Sequence, residues 1–242
     1  PITDLERDLP RLKHSLFSVD RDATATHRAA VEEVLGDLMP VEVENRSLLW
    51  YAMPTLKVIN LMGMEAMMIA LIEQPDAMRA LLDFVSEDIL LFLRWQEREG
   101  LLTLNNGNHY AGSGSYGFTT ELPRSRDGVV RLNDLWLNMN SQETVVLSPA
   151  MFADMVLPAY VRIADVAGWV YYGCCEPVHD LWDRGLKDLP NLRKVSVSPW
   201  CDEERMGAAL RGGRVIYSRK PEPHFLGVDA AFDSEGFKAH IE

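Results

Sequence analysis

The sequence predicts an α/β protein whose strands run parallel and make up most of an eight-stranded barrel. Short apolar runs typical of buried strands recur along the chain, and segments with helical periodicity separate most of them. This alternation favours parallel strands that are connected through helices. The composition agrees, because 242 residues with 47% hydrophobic and 25% charged side chains suit one large globular domain. The predicted strands lie near residues 48, 101, 135, 168, 193 and 213.

The predicted helices come from apolar residues at helical spacing. The clearest helix covers Pro75 to Glu99, and a methionine-rich segment from Thr55 to Leu71 predicts another. The methionine side chains of that second helix either fill the core or form an adaptable side of a ligand-binding site. Ser148-Pro149 predicts the start of a helix that runs to about Val166. Residues 105–133 form a long loop, and loops of this length are often functional lids.

The charge and cysteine content exclude several classes of protein. A formal net charge of −12 without a Lys/Arg cluster argues against a nucleic-acid partner. No apolar run reaches the roughly 18 residues of a membrane span, so we expect no membrane partner. Three cysteines, two of them adjacent, do not form a disulfide framework, and we expect a cytoplasmic protein.

Because the chain begins at Pro1 and ends inside a predicted helix, we expect residues 1–242 to be one domain of a longer protein.

The strand predicted from Gly168 to Tyr172 stops at a turn that concentrates reactive side chains. Tyr172, Cys174, Cys175 and Glu176 fall together there, before a predicted helix begins near Pro177. Sites in α/β folds lie at the carboxyl ends of strands, so these four residues are candidates. The cysteines are either packed core thiols or functional groups. Glu176 is either a helix cap, favoured by the helix dipole, or a catalytic acid.

Other candidates follow the remaining predicted strands. Asn140, Ser141 and Glu143 come directly after the strand near residue 135, and Lys220 follows the last strand. Asn140 and Glu143 are either loop caps or site residues, and Lys220 is either a solvated surface lysine or a ligand for a carboxylate or phosphate. His109 lies in an asparagine-rich loop and is either a surface histidine or a substrate contact.

Several segments resemble the uroporphyrinogen decarboxylase superfamily over roughly residues 45–242. These segments are Trp136-Leu137-Asn138-Met139-Asn140-Ser141, Leu147-Ser148-Pro149 with Phe152, and Leu157-Pro158 with Tyr160. Gly173-Cys174-Cys175-Glu176-Pro177, Asn191-Leu192-Arg193-Lys194 and Ser196-Val197-Ser198-Pro199-Trp200 are similar to one branch of the superfamily. The resemblance implies a TIM (β/α)8 barrel that lacks its N-terminal strands in this chain. It also implies that Ser141 contacts the substrate.

One chemistry of that superfamily is methyl transfer between a corrinoid and a thiol, with zinc holding the thiolate. Cys174 falls at the position of the family's first cysteine ligand, Tyr172 at that of its histidine, and Lys220 near that of its distant cysteine. The resemblance implies that Cys174, with Cys175 and Glu143, binds a metal or activates a thiol. Zinc and a corrinoid are the cofactors we expect. The expected partners are a small-molecule or tetrapyrrole substrate, a corrinoid protein and a second copy of the chain.

Two alternatives remain open on the same resemblance. One is a cofactor-free decarboxylase of a porphyrinogen-type carboxylic acid. The segment Arg219-Lys220-Pro221-Glu222-Pro223 counts against it, because that family has Gly-His-Gly after its last strand. The other alternative is a non-catalytic relative that binds a tetrapyrrole or a metal.

Overall fold

A four-stranded parallel sheet forms the centre of the computed structural model, which describes residues 2–45, 51–228 and 231–241. A short antiparallel hairpin of β1 (Tyr110–Gly112) and β2 (Ser115–Tyr116) precedes the sheet. The sheet consists of β3 (Trp136–Met139), β4 (Trp169–Tyr172), β5 (Leu192–Val197) and β6 (Ile216–Arg219). The strands lie side by side in chain order, and each neighbouring pair is parallel. The α/β class and the four predicted strands of this region are confirmed.

Helices precede the sheet, connect its strands and follow its last strand. They are α1 (Leu5–Asp8), α2 (Arg21–Leu35), α3 (Pro54–Met62), α4 (Met64–Glu73), α5 (Pro75–Arg98), α6 (Leu157–Ala164), α7 (His179–Trp182), α8 (Glu203–Leu210) and α9 (Ser234–Ile241). The chain enters α6 through an α-helical turn at Pro149–Met151 and a π-helical turn at Phe152–Val156. The connections β3–α6–β4, β4–α7–β5 and β5–α8–β6 each return the chain to a parallel neighbour.

The helices cover one face of the sheet and the hairpin covers the other. Side chains of a strand alternate between faces, and Leu137, Val170 and Val195 belong to the same buried cluster as residues of α5, α6, α7 and α8. On the opposite face, Trp136 and Tyr171 pack with the hairpin residue Ala111 and with the loop residue Leu122 in a second, smaller cluster. The hairpin face also carries the buried polar side chains of Asn138, Lys194 and Ser196.

The structure differs from the sequence expectations in the first half of the chain. The methionine-rich segment forms two helices rather than one, because the chain breaks at Gly63, whose φ of +86° favours glycine. The loop of residues 105–133 contains the hairpin, which the sequence analysis did not predict. The strand predicted near residue 48 lies largely outside the described residues.

The strand predicted at Leu101 to Leu104 is not formed, although Leu102 is buried in the core. Among the described residues, the hydrogen bonds that link this part of the chain to β3 come from the side chain of Asn105, which directly follows this segment. The Asn105 Nδ2 donates to the Trp136 carbonyl oxygen at 2.8 Å, and the Trp136 backbone N–H donates to Asn105 Oδ1 at 2.9 Å. The amide of Asn105 therefore takes the place of a neighbouring backbone at the outer edge of β3.

No single helix in the described part of the chain has the length and hydropathy of a membrane span. By length and composition, only the pair of α3 and α4 meets that test there, and the two helices are bent by 104° relative to each other.

Candidate functional site

Glu176 ties the carboxyl ends of β3 and β4 together. Its carboxyl group is buried, with 3% of the residue exposed. The Ser141 backbone N–H donates to Oε1 and the Cys174 backbone N–H donates to Oε2, both at 2.9 Å. Burial raises the pKa of Glu176, while these amide donors act in the opposite direction. The side chain fixes the two loops on which most of the predicted site residues lie.

The two adjacent thiols lie together beside the hairpin turn. Cys174 is buried, with 8% of the residue exposed, whereas Cys175 is exposed. The Cys174 Sγ donates to the Ser113 Oγ at 3.2 Å and lies 3.6 Å from the Cys175 Sγ. Desolvation is the largest cause that raises the pKa of the Cys175 thiol, the neighbouring Cys174 adds to it, and the Lys220 ammonium lowers it in part.

Lys220 places a positive charge beside these thiols. Its Nζ donates to the Ser113 Oγ at 3.0 Å and to the Cys174 carbonyl oxygen at 2.5 Å. The same carbonyl accepts a hydrogen bond from the Ser196 Oγ at 2.8 Å. Ser113, Cys174, Cys175 and Lys220 therefore form one group, which we call the thiol–lysine cluster. Ser113 is not among the residues predicted from the sequence, and the signal for it was its position between two glycines in the long loop.

A second ammonium group lies under the hairpin. Lys194 is 5% exposed, and its Nζ donates to the Ser115 Oγ at 3.0 Å and to the Tyr116 carbonyl oxygen at 2.6 Å. It also lies 4.9 Å from the centroid of the Trp136 ring, a cation–π contact. Burial lowers the pKa of Lys194. Lys194 is not among the residues predicted from the sequence, and the signal for it was a lysine within a predicted strand.

Tyr172 lies on the helix face of the sheet, apart from the thiols that follow it in the chain. Its hydroxyl is 2.6 Å from the Ser141 Oγ, and its ring meets the Tyr160 ring edge-on at 6.0 Å between centroids. Both tyrosines are fully buried, and burial raises the pKa of each hydroxyl well above its ordinary value. The structure thus brings Tyr172 and Ser141 together as a buried pair.

Glu143 and Asn140 belong to a hydrogen-bonded chain that reaches α3. The Thr55 Oγ1 donates to Glu143 Oε2 at 2.9 Å and is 2.7 Å from the Tyr160 hydroxyl. The Tyr160 hydroxyl also reaches the Asn140 carbonyl oxygen at 2.7 Å. In the Asn140 side chain, Nδ2 contacts the Met53 Sδ at 3.4 Å, and Oδ1 is buried without a hydrogen bond to any described residue. Glu143 and Asn140 therefore support the loop after β3 from the helix side.

A cavity of about 100 Å³ lies between the loop after β3 and the start of α7. Ser141 and Glu176 line one part of it, and Asp180 lies at another part. A space of this size admits ordered water or a very small ligand.

His109 lies at the base of the hairpin, while the thiol–lysine cluster is at its turn. The His109 Nε2 is 3.3 Å from Glu44 Oε1, and the His109 Nδ1 is buried without a hydrogen bond among the residues described. The structure does not bring His109 into contact with the other predicted site residues.

The two thiols alone do not complete a zinc site. A zinc site takes four ligands, with sulfur at about 2.3 Å, and the described ranges contain no group of three or more His, Cys, Asp or Glu side chains able to hold a metal. Both oxygens of Glu176 accept backbone amides, and Glu143 is bonded to Thr55. The Lys220 ammonium beside the thiols also opposes a divalent cation.

Comparison with models of protein families, with curated proteins and with solved structures finds no match to this chain.

Proposed function

We propose that the four parallel strands are consecutive strands of a TIM barrel of the uroporphyrinogen decarboxylase superfamily. The support is the strand order β3-β4-β5-β6 together with helices on a single face of the sheet. A doubly wound sheet carries helices on both faces, whereas the strands of a barrel carry them only outside. The polar hairpin face, with Asn138, Lys194 and Ser196, then corresponds to the barrel interior.

On this basis, we infer that the protein is an enzyme that moves a methyl group between a corrinoid and a thiol. The observation that carries this proposal is the Cys174 thiol at the carboxyl end of β4, in one hydrogen-bonded group with the Lys220 ammonium through Ser113. A positive charge near a thiol favours the thiolate, which is the nucleophile. A thiolate here needs no zinc, in keeping with the donor set at the two cysteines.

In this proposal Cys174 is the thiol that accepts the methyl group, one per chain, and it reacts after its thiol proton has gone to solvent. The sulfur forms the new bond to the methyl carbon, and the electron pair of the broken cobalt–carbon bond remains on the cobalt of the substrate. Lys220 is joined to Cys174 through Ser113, and Cys175 is the exposed neighbour through which the methyl donor approaches. Glu176 is a positioning residue, since it holds the Cys174 backbone at 2.9 Å. Tyr172, Ser141 and Glu143 position the loops from the helix side.

The test is methyl transfer from methylcobalamin that carries a deuterated methyl group. Wild type is expected to remove the methyl group from cobalt and to carry the deuterated methyl on the peptide that contains Cys174. Cys174→Ser is expected to fall to the background rate. Cys201→Ser is the matched control, because the buried Cys201 thiol contacts Val178 and Ser198 rather than the thiol–lysine cluster. Equal rates in wild type and Cys174→Ser would refute the proposal.

The second candidate function is a cofactor-free decarboxylase of a porphyrinogen-type acid. The observation that favours it is the pair of ammonium groups, Lys194 and Lys220, that both contact the hairpin and are suited to carboxylates. Carbon dioxide release from a porphyrinogen substrate that Lys220→Met abolishes and Cys174→Ser leaves unchanged would favour this function over methyl transfer. Binding of a tetrapyrrole without turnover in either assay would identify a non-catalytic relative.

A further inference from the structure

We propose that Cys174 and Cys175 close into a reversible vicinal disulfide that switches the thiol–lysine cluster off. The inhibition of activity rests on the proposed function, whereas formation of the bond does not. The two sulfur atoms lie 3.6 Å apart. A disulfide requires about 2.05 Å between the sulfurs, so small side-chain rotations bring them into bonding distance.

Adjacent cysteines give a disulfide that is easily reduced. Consecutive Cα atoms are about 3.8 Å apart across a trans peptide, whereas the Cα atoms of ordinary disulfides are about 4.4–6.8 Å apart. The bond is therefore strained, and strained disulfides are the labile, regulatory ones. This property suits a switch that a reducing thiol can reverse and does not suit a structural cross-link.

Exposure gives the two cysteines different roles in the oxidation. Cys175 is exposed and meets the oxidant first, while Cys174 is nearly covered and is reached through Cys175. The charged groups that face the pair are the Lys220 ammonium and the Glu176 carboxyl group. The third cysteine, Cys201, accepts a hydrogen bond from the Val178 backbone N–H at 3.4 Å and does not compete for either thiol.

The oxidant that we propose is a peroxide. The sulfur of Cys175 attacks one peroxide oxygen, the oxygen–oxygen bond breaks, and water leaves once the departing oxygen has been protonated. The resulting sulfenic acid is attacked by the sulfur of Cys174, which forms the sulfur–sulfur bond and releases a second water. In total, two thiols and one hydrogen peroxide give one disulfide and two waters.

The bond removes the nucleophile and one of the contacts that hold the hairpin turn. Cys174 loses the thiol proton that it donates to the Ser113 Oγ. The Lys220 ammonium keeps its bond to the Cys174 carbonyl oxygen, so the lysine side of the cluster remains in place. The oxidised protein therefore keeps its fold but has no thiol at the carboxyl end of β4.

The experiment is a thiol count and peptide mass after treatment of the chain with one equivalent of hydrogen peroxide. Wild type is expected to lose two of its three thiols and the mass of two hydrogens from the peptide that contains both cysteines. Dithiothreitol is expected to restore both. Cys201→Ser is expected to form the same bond, and Cys174→Ser and Cys175→Ser are expected not to form it.

A gain of one or two oxygens on Cys175 without the loss of two thiols would overturn the inference, as would disulfides only between two chains. The readout does not require methyl transfer. A vicinal disulfide in a chain that transfers no methyl group would leave this inference standing and refute the proposed function. Where methyl transfer is present, the peroxide-treated protein is expected to be inactive until it is reduced.

Discussion

Gly112→Ala tests whether the hairpin is held directly against the sheet. A Cβ atom on Gly112 would overlap the ring of Tyr171 and would lie 2.5 Å from Asn138 Nδ2. Tyr171 is fully buried, and its hydroxyl donates to the Ser113 carbonyl oxygen at 2.9 Å. The ring has no room to rotate away, so the hairpin backbone must move outward.

Gly112→Ala is expected to lower the free energy of unfolding by about 1–3 kcal/mol, as overpacking of a core position does. The outward shift also weakens the hydrogen bonds that the hairpin makes with Tyr171, Lys194 and Lys220. In a chain of this size each kcal/mol corresponds to about 2–4 °C in Tm. A destabilisation near the middle of that range, about 2 kcal/mol, therefore lowers Tm by about 4–8 °C.

The assay combines thermal unfolding with the alkylation rate of Cys174 in a background that lacks the other two cysteines. Ser113 covers Cys174, so displacement of the hairpin is expected to raise the alkylation rate several-fold. Gly107→Ala is the matched control, because its Cβ would lie 3.6 Å from His109 Nδ1, an ordinary contact distance. If Gly112→Ala has the Tm and the thiol reactivity of Gly107→Ala, the packing of the hairpin on the sheet is refuted.

Three further predictions concern buried and titrating groups. Tyr160→Phe removes the hydroxyl between Thr55 and the Asn140 carbonyl oxygen. The free energy of unfolding, measured in urea, should therefore fall by about 1–3 kcal/mol. An unchanged urea midpoint would show that these hydrogen bonds are absent. Desolvation and the neighbouring Cys174 raise the pKa of the exposed Cys175 thiol. Its alkylation at neutral pH should therefore be slower than that of free cysteine and should increase about tenfold per pH unit; a rate independent of pH would contradict this. Burial raises the pKa of Glu176 above its ordinary value of 4.5, so the stability that it contributes relative to Glu176→Gln is fully present below that pH. This contribution should fall as pH rises through the raised pKa, and unfolding of both proteins by urea across that range is the check; a contribution that grows with pH would refute the raised pKa.

The sequence predicted the sheet better than it predicted the site. The strands near residues 135, 168, 193 and 213 are local apolar runs, and local periodicity is sufficient to find them. The hairpin was missed because residues 110–116 contain glycine and serine where an alternating strand pattern needs apolar side chains. The break between α3 and α4 depends on the positive φ of Gly63. An isolated glycine in a helical pattern does not by itself predict a positive φ.

Glu176 shows why the role of a site residue could not be read from its neighbours in the chain. Its position before a predicted helix left helix capping and catalysis both open. In the structure it accepts the backbone amides of Cys174 and Ser141, and Ser141 is 35 residues away. That contact exists because β3 and β4 are adjacent in the sheet, and adjacency of strands is not encoded in a local pattern. The separation of Tyr172 from Cys174 has a different cause. The strand ends at Tyr172, and Gly173, with a φ of +102°, turns the chain between the two residues.

The side-chain amide of Asn105 has a consequence for the solubility of the chain. The outer edge of a terminal strand offers unpaired N–H and C=O groups that can recruit a strand from another molecule. Asn105 satisfies both backbone groups of Trp136 at that edge. An incoming strand must displace this amide before it can extend the ladder at Trp136. The asparagine thus protects β3 from intermolecular β-pairing while leaving the order of the sheet unchanged.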